Sequence, residues 1–126
     1  MIIPKHGLLA SAQIKRAVPG VTRVLLARTD GIAVYDDATL ADRDTGAAVS
    51  ATLIGLATSA AGALRLGRLD AVTLHTSAGL VVVQPIDSAH VLAAIAHEDI
   101  DVARLREVVG EAVLPLLGRW RVGVGA

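Results

Sequence analysis

The chain contains no cysteine and no phenylalanine, and it has one tyrosine and one tryptophan among its 126 residues. Without cysteine it has neither a disulfide framework nor a thiolate metal site, which is compatible with a reducing cytoplasm. Its hydrophobic fraction of 53% is therefore mainly Ala, Val, Leu and Ile. Small apolar side chains favour broad, flat contacts over the deep aromatic-lined pockets in which small ligands usually bind.

An excess of charge of either sign is also missing, because twelve Lys and Arg residues balance twelve Asp and Glu residues. Nucleic-acid-binding domains usually carry a basic excess or a basic stripe, so we expect no nucleic-acid partner. The segment from Met1 to His6 is not a basic region followed by a long apolar run, so we expect no signal peptide. We expect one cytoplasmic domain over residues 1–126, with its core at about 8–117 and a loosely ordered tail at about 118–126.

Motifs that carry chemistry are absent from the sequence. It has no glycine-rich phosphate loop ending in Lys-Ser or Lys-Thr, no GxSxG elbow and no HExxH pair, and its four histidines lack metal-ligand spacing. The carboxylate pairs Asp36-Asp37 and Asp99/Asp101 are interpreted as solvated loop charges and helix caps, with Asp99 capping the last helix. The sequence therefore predicts no enzyme activity, no metal and no cofactor.

The pattern of apolar residues predicts an α/β (α+β) domain of three helices and five strands in the order α-β-β-α-β-β-β-α. Asp30-Gly31 between two apolar runs indicates a tight hairpin, and hairpin-linked strands indicate an antiparallel sheet. The polar segment from Asp36 to Asp44 predicts a loop, with Asp44 or Thr45 capping the next helix. The predicted helices are Leu8–Ala17, Gly46–Arg65 and Ile100–Leu114, and the predicted strands are Val21–Arg28, Ile32–Tyr35, Ala71–Thr76, Leu80–Gln84 and His90–Ala96. The last of these segments is strand-like, with a helix as the alternative.

The central helix has two distinct stripes. A large apolar stripe, which we expect to cover the sheet, consists of Val49, Leu53, Leu56, Ala60 and Leu64. A stripe of small residues, which we expect to be a dimer interface, consists of Ala48, Thr52, Gly55, Ser59 and Gly62. The uncharged run from Thr45 to Leu64 is long enough to span a bilayer, but its many Ala, Gly, Ser and Thr residues would insert poorly. We expect a soluble helix and no membrane insertion.

Several segments, taken in order, resemble the Roadblock family, the dynein light chain roadblock-type domains. The resemblance covers roughly Leu8 to Leu117, and each of its motifs is weak alone, since it consists of apolar and turn residues. A long Ala- and Gly-rich helix after a polar loop matches the family's central helix. The other matching segments are Val18-Pro-Gly-Val21, VLLARTDGIAVYDD from Val24 to Asp37, SAGLVVVQ from Ser77 to Gln84, and HVLAAIAHEDIDVARLREVV from His90 to Val109.

The resemblance implies five antiparallel strands, with the central helix on one face and the terminal helices on the other. Family members are homodimers or pair with a related subunit, and their central helices meet while their sheets join. Bacterial members act beside a Ras-like small GTPase, as activating or scaffolding subunits that insert no arginine finger. The resemblance and a composition typical of GC-rich bacterial genomes therefore predict a non-catalytic homodimeric regulator or scaffold of a Ras-like GTPase, possessing no cofactor.

A third side of the central helix is predicted to bind the GTPase. Ile54 would be its apolar anchor and Arg65 its charge, a combination common in interface cores; alternatively, Ile54 packs in the dimer seam and Arg65 is a solvated helix end. Two other functions stay open, namely a structural subunit of a larger signalling scaffold and a small-molecule-sensing α/β domain. The predicted partner-binding residues are Ala51, Ile54, Thr58, Ala61 and Arg65.

Overall fold

A five-stranded antiparallel sheet with helices on both faces forms the domain, as the sequence predicts. The computed structural model describes residues 1–125, with side chains as far as residue 117. The strand order in the sheet is β2-β1-β5-β4-β3, and all neighbouring strands are antiparallel. The elements are α1 (Pro4–Ala17), β1 (Val21–Arg28), β2 (Ala33–Asp36), α2 (Leu40–Ala63), β3 (Val72–His75), β4 (Leu80–Pro85), β5 (His90–Ala96) and α3 (Val102–Gly125).

Strands β1 and β5 begin and end at the predicted residues, and the hairpin between β1 and β2 turns where Asp30-Gly31 indicates. Gly31 has a φ of 91°, a conformation that L side chains rarely adopt, so glycine is required at this turn. Helix α1 begins earlier than expected, at Pro4, because proline suits the first turn of a helix. The backbone N–H of Ile3 also donates to Nδ1 of His6 at 3.0 Å, which satisfies a donor at the helix start.

Helix α2 begins at Leu40, inside the segment that was predicted to be a loop. Neither Asp44 nor Thr45 is its cap, because both lie within the helix and Thr39 precedes it. The spacing of Thr39 and Asp42 resembles a capping box, and the Thr39 hydroxyl donates to Oδ2 of Asp42 at 3.4 Å. Arg43 then donates to the carbonyl oxygens of Asp36 and Ala38, so hydrogen bonds to residues just before the helix hold its first turn.

Helix α3 extends well beyond its predicted end at Leu114. It continues through Pro115 to Gly125, although proline removes one helical hydrogen bond and was expected to limit the helix. Asp101, rather than Asp99, caps its start by accepting the backbone N–H of Arg104 at 3.1 Å. The expected loose order of residues 118–126 lies beyond the described side chains and stays a prediction.

The sheet separates two apolar cores of unequal size. Helices α1 and α3 cover one face, where Ile14, Leu26 and Leu105 are fully buried. Helix α2 covers the other face alone, and a smaller cluster there joins Ile54 to sheet residues such as Val91. One helix shields less of a five-stranded sheet than two helices do, so the α2 side keeps apolar surface in contact with water.

Candidate interaction surface

The side of α2 that faces the sheet is not the stripe that the sequence predicted. Ala47, Ser50 and Ile54 are the buried residues of the helix, and Ile54 is only 6% exposed. Their spacing of three and four residues is as helical as that of the predicted stripe. Ala47 and Ser50 are small and let the helix approach the sheet, while Ile54 packs with strand side chains such as Leu25 and Val83.

The predicted sheet-covering stripe instead points largely to solvent. Val49 is 52% exposed, Leu56 is 70% exposed and Leu64 is 67% exposed, while Leu53 is partly buried against the smaller core. Ala60 is exposed as well. The expectation that these five residues cover the sheet is therefore wrong for all but Leu53.

The predicted partner-binding residues divide between two environments. Ile54 packs against the sheet, which removes the exposure that its predicted anchoring role assumed, and Ala51 and Ala61 are half-buried. Thr58 and Arg65 are exposed and accessible to another protein. Arg65 lies just past the helix end with a φ of 56°. The burial of Ile54 against the sheet leaves little of its side chain for contact with a second copy, which is the role that the alternative gave it.

The small-residue stripe lies on the side of α2 that points away from the sheet. Its members are all exposed, namely Ala48, Thr52, Gly55, Ser59 and Gly62. A Cβ atom added at Gly55 or Gly62 would meet nothing within 4 Å. Because internal glycine costs a helix about 1 kcal/mol relative to alanine, and nothing in the described chain requires it here, the stripe stays a prediction of close approach by another chain.

A groove of about 300 Å³ runs between α2 and the sheet beside the exposed leucines. Leu53 of α2 and Ile95 of β5 contribute to its walls, with Leu74 of the edge strand β3 at its margin. Arg23 and Asp42 supply a polar end. Strand β3 has a neighbour on one side only, so its outer backbone groups are available to another strand. We call the surface formed by Val49, Leu53, Leu56, Leu64 and Leu74 the apolar face.

Asp36 forms a buried ion pair next to this groove, which corrects its interpretation as a solvated loop charge. The Nε and Nη2 atoms of Arg23 donate to its two carboxylate oxygens at 2.8 and 2.6 Å, and Asp36 is 2% exposed. The backbone N–H of Ala38 is a third donor. The hydrogen bond to Asp36 raises the pKa of Arg23 above its ordinary value despite partial burial.

Asp37 is held on the opposite side of the sheet by residues of α1 and the first hairpin. Lys15 Nζ lies 2.8 Å from its carboxylate, and Ser11, Tyr35 and the backbone N–H of Val24 also donate to it. Burial by itself would raise the pKa of Asp37, but these donors outweigh it and the pKa is lowered. Burial and the bond to Asp37 raise the pKa of Tyr35.

The adjacent aspartates therefore tie α1 and the start of α2 to the same hairpin. Each carboxylate is saturated with donors, so neither Asp36 nor Asp37 is arranged to accept a proton from a substrate. Sequence reasoning missed this role, because the donors come from residues that are remote in the chain, such as Lys15 and Arg23. Among side chains 1–117, no group of three or more His, Asp and Glu residues is placed to hold a metal ion.

By length and composition alone, α2 would also pass as a membrane-spanning helix. Its most apolar 18-residue window has a mean hydropathy of 1.4, and 17% of that window is buried within the protein. Core helices of soluble proteins satisfy the same test, but they are mostly buried. The low burial of α2 shows that much of its apolar surface is not covered by its own chain.

Comparison with known proteins gives one consistent fold. A family model described as the Roadblock/LC7 domain matches residues 5–96. A Roadblock/LC7 domain from Streptomyces avermitilis superposes with a TM-score of 0.84 at 24% identity, covering 92% of this chain and 98% of that one. MglB from Myxococcus xanthus gives 0.78 at 12% identity, with 93% and 95% covered. The gliding protein MglB from Thermus thermophilus gives 0.77 at 14% identity, with 91% and 88% covered. A search of curated protein sequences gives no significant match.

Proposed function

Because the chain belongs to the Roadblock/LC7 domain family, we propose that it is a non-catalytic cytoplasmic module that forms a homodimer and, as a dimer, binds a Ras-like small GTPase. The observation that carries the proposal is the apolar face. Most of its residues belong to helix α2, which leaves much of its own apolar surface uncovered, and Leu74 lies on the open sheet edge β3. Contiguous exposed apolar surface of this kind is typical of protein–protein contacts.

A second copy fits this surface better than a small molecule does. The groove volume of about 300 Å³ is at the lower limit for ligand pockets, and the groove continues into leucines that are exposed beyond it. If the β3 strands of two copies pair with each other across a two-fold axis, the two sheets join into one. The same axis places both α2 helices on one side of the joined sheet, antiparallel and in contact. Stable homodimers bury on the order of 2,000 Å² or more in total.

Two features support a GTPase as the further partner. Family resemblance implies that bacterial members act beside such an enzyme, and this chain has no phosphate loop with which to bind GTP itself. In the dimer, the exposed side chains of Thr58 and Arg65 lie outside the apolar face and stay accessible. We assign GTPase binding to these two residues, and Ile54 is excluded from it by its burial.

The dimer is tested by replacing Leu56 with aspartate and measuring molar mass by light scattering. We expect the wild type to give twice 12.9 kDa and Leu56→Asp to give a monomer, since the variant buries a charge in the interface. Leu114→Asp is the matched control, because Leu114 is a comparably exposed leucine on α3, across the sheet from α2. A wild-type monomer at high micromolar concentration, or a dimer in the Leu56 variant, contradicts the proposal.

The GTPase role is tested with a Ras-like GTPase whose gene neighbours that of this chain. We expect the dimer to bind it, and we expect the dimer alone to hydrolyse no GTP. Arg65→Glu should weaken binding while leaving the dimer intact, whereas Arg106→Glu on α3 should bind normally. Turnover of GTP by the purified chain would overturn the non-catalytic assignment. An intact dimer that binds no such GTPase would favour the structural subunit of a scaffold instead.

A further inference from the structure

Helix α1 carries positive charge that its own chain does not neutralise. The first 29 residues contain five Lys and Arg residues, and all twelve Asp and Glu residues lie later in the chain. Three of the five bases pair with aspartates, namely Lys15, Arg23 and Arg28. The other two, Lys5 and Arg16, lie on α1 and have no ion-pair partner among the side chains that the structure describes through residue 117.

These two unpaired bases share the outward side of α1 with leucine. Lys5, Leu9 and Arg16 are four and seven residues apart, so they lie on one side of the helix, opposite the buried Ile14. Leu8 flanks this side, and Leu8 and Leu9 are 55% and 58% exposed. Both bases are exposed as well. We call the surface formed by Lys5, Leu8, Leu9 and Arg16 the α1 surface.

Charges on the neighbouring helix do not cancel this positive surface. The exposed charged residues of α3, as far as residue 117, are balanced, namely Arg104, Arg106, Glu107 and Glu111. The acidic residues Glu98 and Asp99 follow His97, whose backbone N–H donates to the carbonyl oxygen of Gly20 at 3.1 Å. They therefore lie beside the turn that follows α1, past its C-terminal end, and they limit the positive surface there.

In the proposed homodimer, the two copies of the α1 surface face in the same direction. Helix α1 lies across the sheet from α2. A two-fold axis that joins the β3 edges keeps corresponding helices on the same side of the joined sheet. Both α1 surfaces therefore lie on one side of the dimer and both α2 helices on the other. A flat and negatively charged partner can contact both α1 surfaces at once, and a lipid bilayer with anionic head groups has this shape and this charge.

We propose that the α1 surface binds anionic lipid bilayers, and that the dimer places both copies of it on one membrane while α2 stays free for the GTPase. Helices that lie on a membrane bury leucines at the boundary between head groups and acyl chains and keep Lys and Arg among the head groups. No segment has to span the bilayer. Contact through one α1 surface requires only the monomer, whereas the double contact rests on the proposed homodimer.

A simpler explanation gives the α1 surface no partner. Single exposed leucines are common on soluble proteins, and a basic residue in the last turn of a helix, such as Arg16, interacts favourably with the helix dipole. That explanation predicts that vesicles of any composition leave the protein in solution. Membrane binding predicts that anionic vesicles, and only those, take it up.

Cosedimentation with phosphatidylcholine vesicles, with and without one-third phosphatidylglycerol, distinguishes these explanations. We expect the wild type to bind only the anionic vesicles and to be released at high salt, which screens exposed charges. Replacing both Lys5 and Arg16 with glutamine should lower the partition coefficient at least about twentyfold, because each Lys or Arg near an anionic surface strengthens binding about fivefold. The control replaces Arg65 and Arg68, two exposed bases beyond the end of α2, with glutamine and should bind as the wild type does.

Two further variants test the leucine and the double contact. Leu9→Ser should weaken vesicle binding about tenfold, since it removes apolar surface that the bilayer would bury. The monomeric Leu56→Asp variant should bind more weakly than the dimeric Arg68→Gln variant, which has the same net charge but two α1 surfaces in each particle.

The outcomes separate the membrane contact from the homodimer. A wild type that stays in solution with anionic vesicles, or a Lys5 and Arg16 double variant that binds as the wild type does, overturns the membrane contact and leaves the surface to an acidic protein. Equal binding by the Leu56→Asp and Arg68→Gln variants overturns the double contact. A monomeric wild type that binds anionic vesicles overturns the homodimer alone.

Discussion

Replacing Gly7 with alanine should destabilise the protein, although alanine is the better helix former. Gly7 lies in α1, where the helix crosses strand β2. A Cβ atom added there would lie 2.4 Å from Cβ of Tyr35 and 2.6 Å from its Cγ. Carbon atoms in contact are normally about 3.5–4.0 Å apart, so helix and strand would have to separate by roughly 1 Å.

Relief by movement of the Tyr35 side chain is not available. Its Cβ atom moves only with the strand, and its hydroxyl group is bonded to the saturated carboxylate of Asp37. Overpacking of this kind costs about 1–3 kcal/mol, and the gain in helix propensity from replacing glycine is at most about 1 kcal/mol. We therefore expect a net loss of about 1–2 kcal/mol for Gly7→Ala.

Gly110→Ala is the matched control for this prediction. Gly110 lies inside α3, and a Cβ atom added there would meet nothing within 4 Å. The same substitution should therefore stabilise the protein by up to about 1 kcal/mol. Urea unfolding of both variants and the wild type, at one protein concentration because dimerisation contributes to stability, measures the difference. A Gly7→Ala protein as stable as the wild type would refute the packing argument.

Two further substitutions probe the saturated carboxylate and the outward side of α2. Asp37→Asn should cost about 1.5–3 kcal/mol at pH 7, because it removes the ion pair with Lys15 and turns an amide toward donors. Since the folded-state pKa of Asp37 lies below its ordinary 3.8, its contribution is present above that value and is lost as the pH falls through the folded pKa. A difference in unfolding free energy between wild type and variant that stays constant from pH 7 to strong acid would contradict this. Gly55→Leu should leave the stability of the monomer nearly unchanged, because the chain itself leaves open space at this position. It should weaken dimerisation, because the small-residue stripe is predicted to contact a second copy. An unchanged dimer affinity in sedimentation equilibrium would place the stripe in solvent.

Local patterns in the sequence determined the order of elements and the positions of the central strands. β1 and β5 were predicted to the residue because their apolar runs end at unmistakable turn or polar residues. The hairpin turn followed from Asp30-Gly31, since its chemistry depends on the turn residues alone. Helix ends were less well predicted where side-chain hydrogen bonds act, as at Leu40, where Arg43 donates back to the carbonyl oxygens of Asp36 and Ala38.

The orientation of α2 was decided by the tertiary structure alone. Helical periodicity gives the angle between two residues on one helix, but it does not give the rotation of that helix about its axis relative to a sheet. The sequence offered two acceptable stripes, and the more apolar one was assigned to the sheet. The structure instead turns Ser50 and Ile54 inward and leaves Leu56 in solvent.

The burial of the charged residues Asp36 and Asp37 could not be predicted from the sequence either. Asp36-Asp37 is polar and adjacent to a loop, which is typical of solvated residues, and its donors come from positions remote in the chain such as Lys15 and Arg23. Position 7 shows the same limit, because glycine is required there only by the packing of Tyr35 against the helix. The sequence determined which elements form, because their signals are local; the tertiary structure decided which side chains meet, because each such contact depends on two distant segments at once.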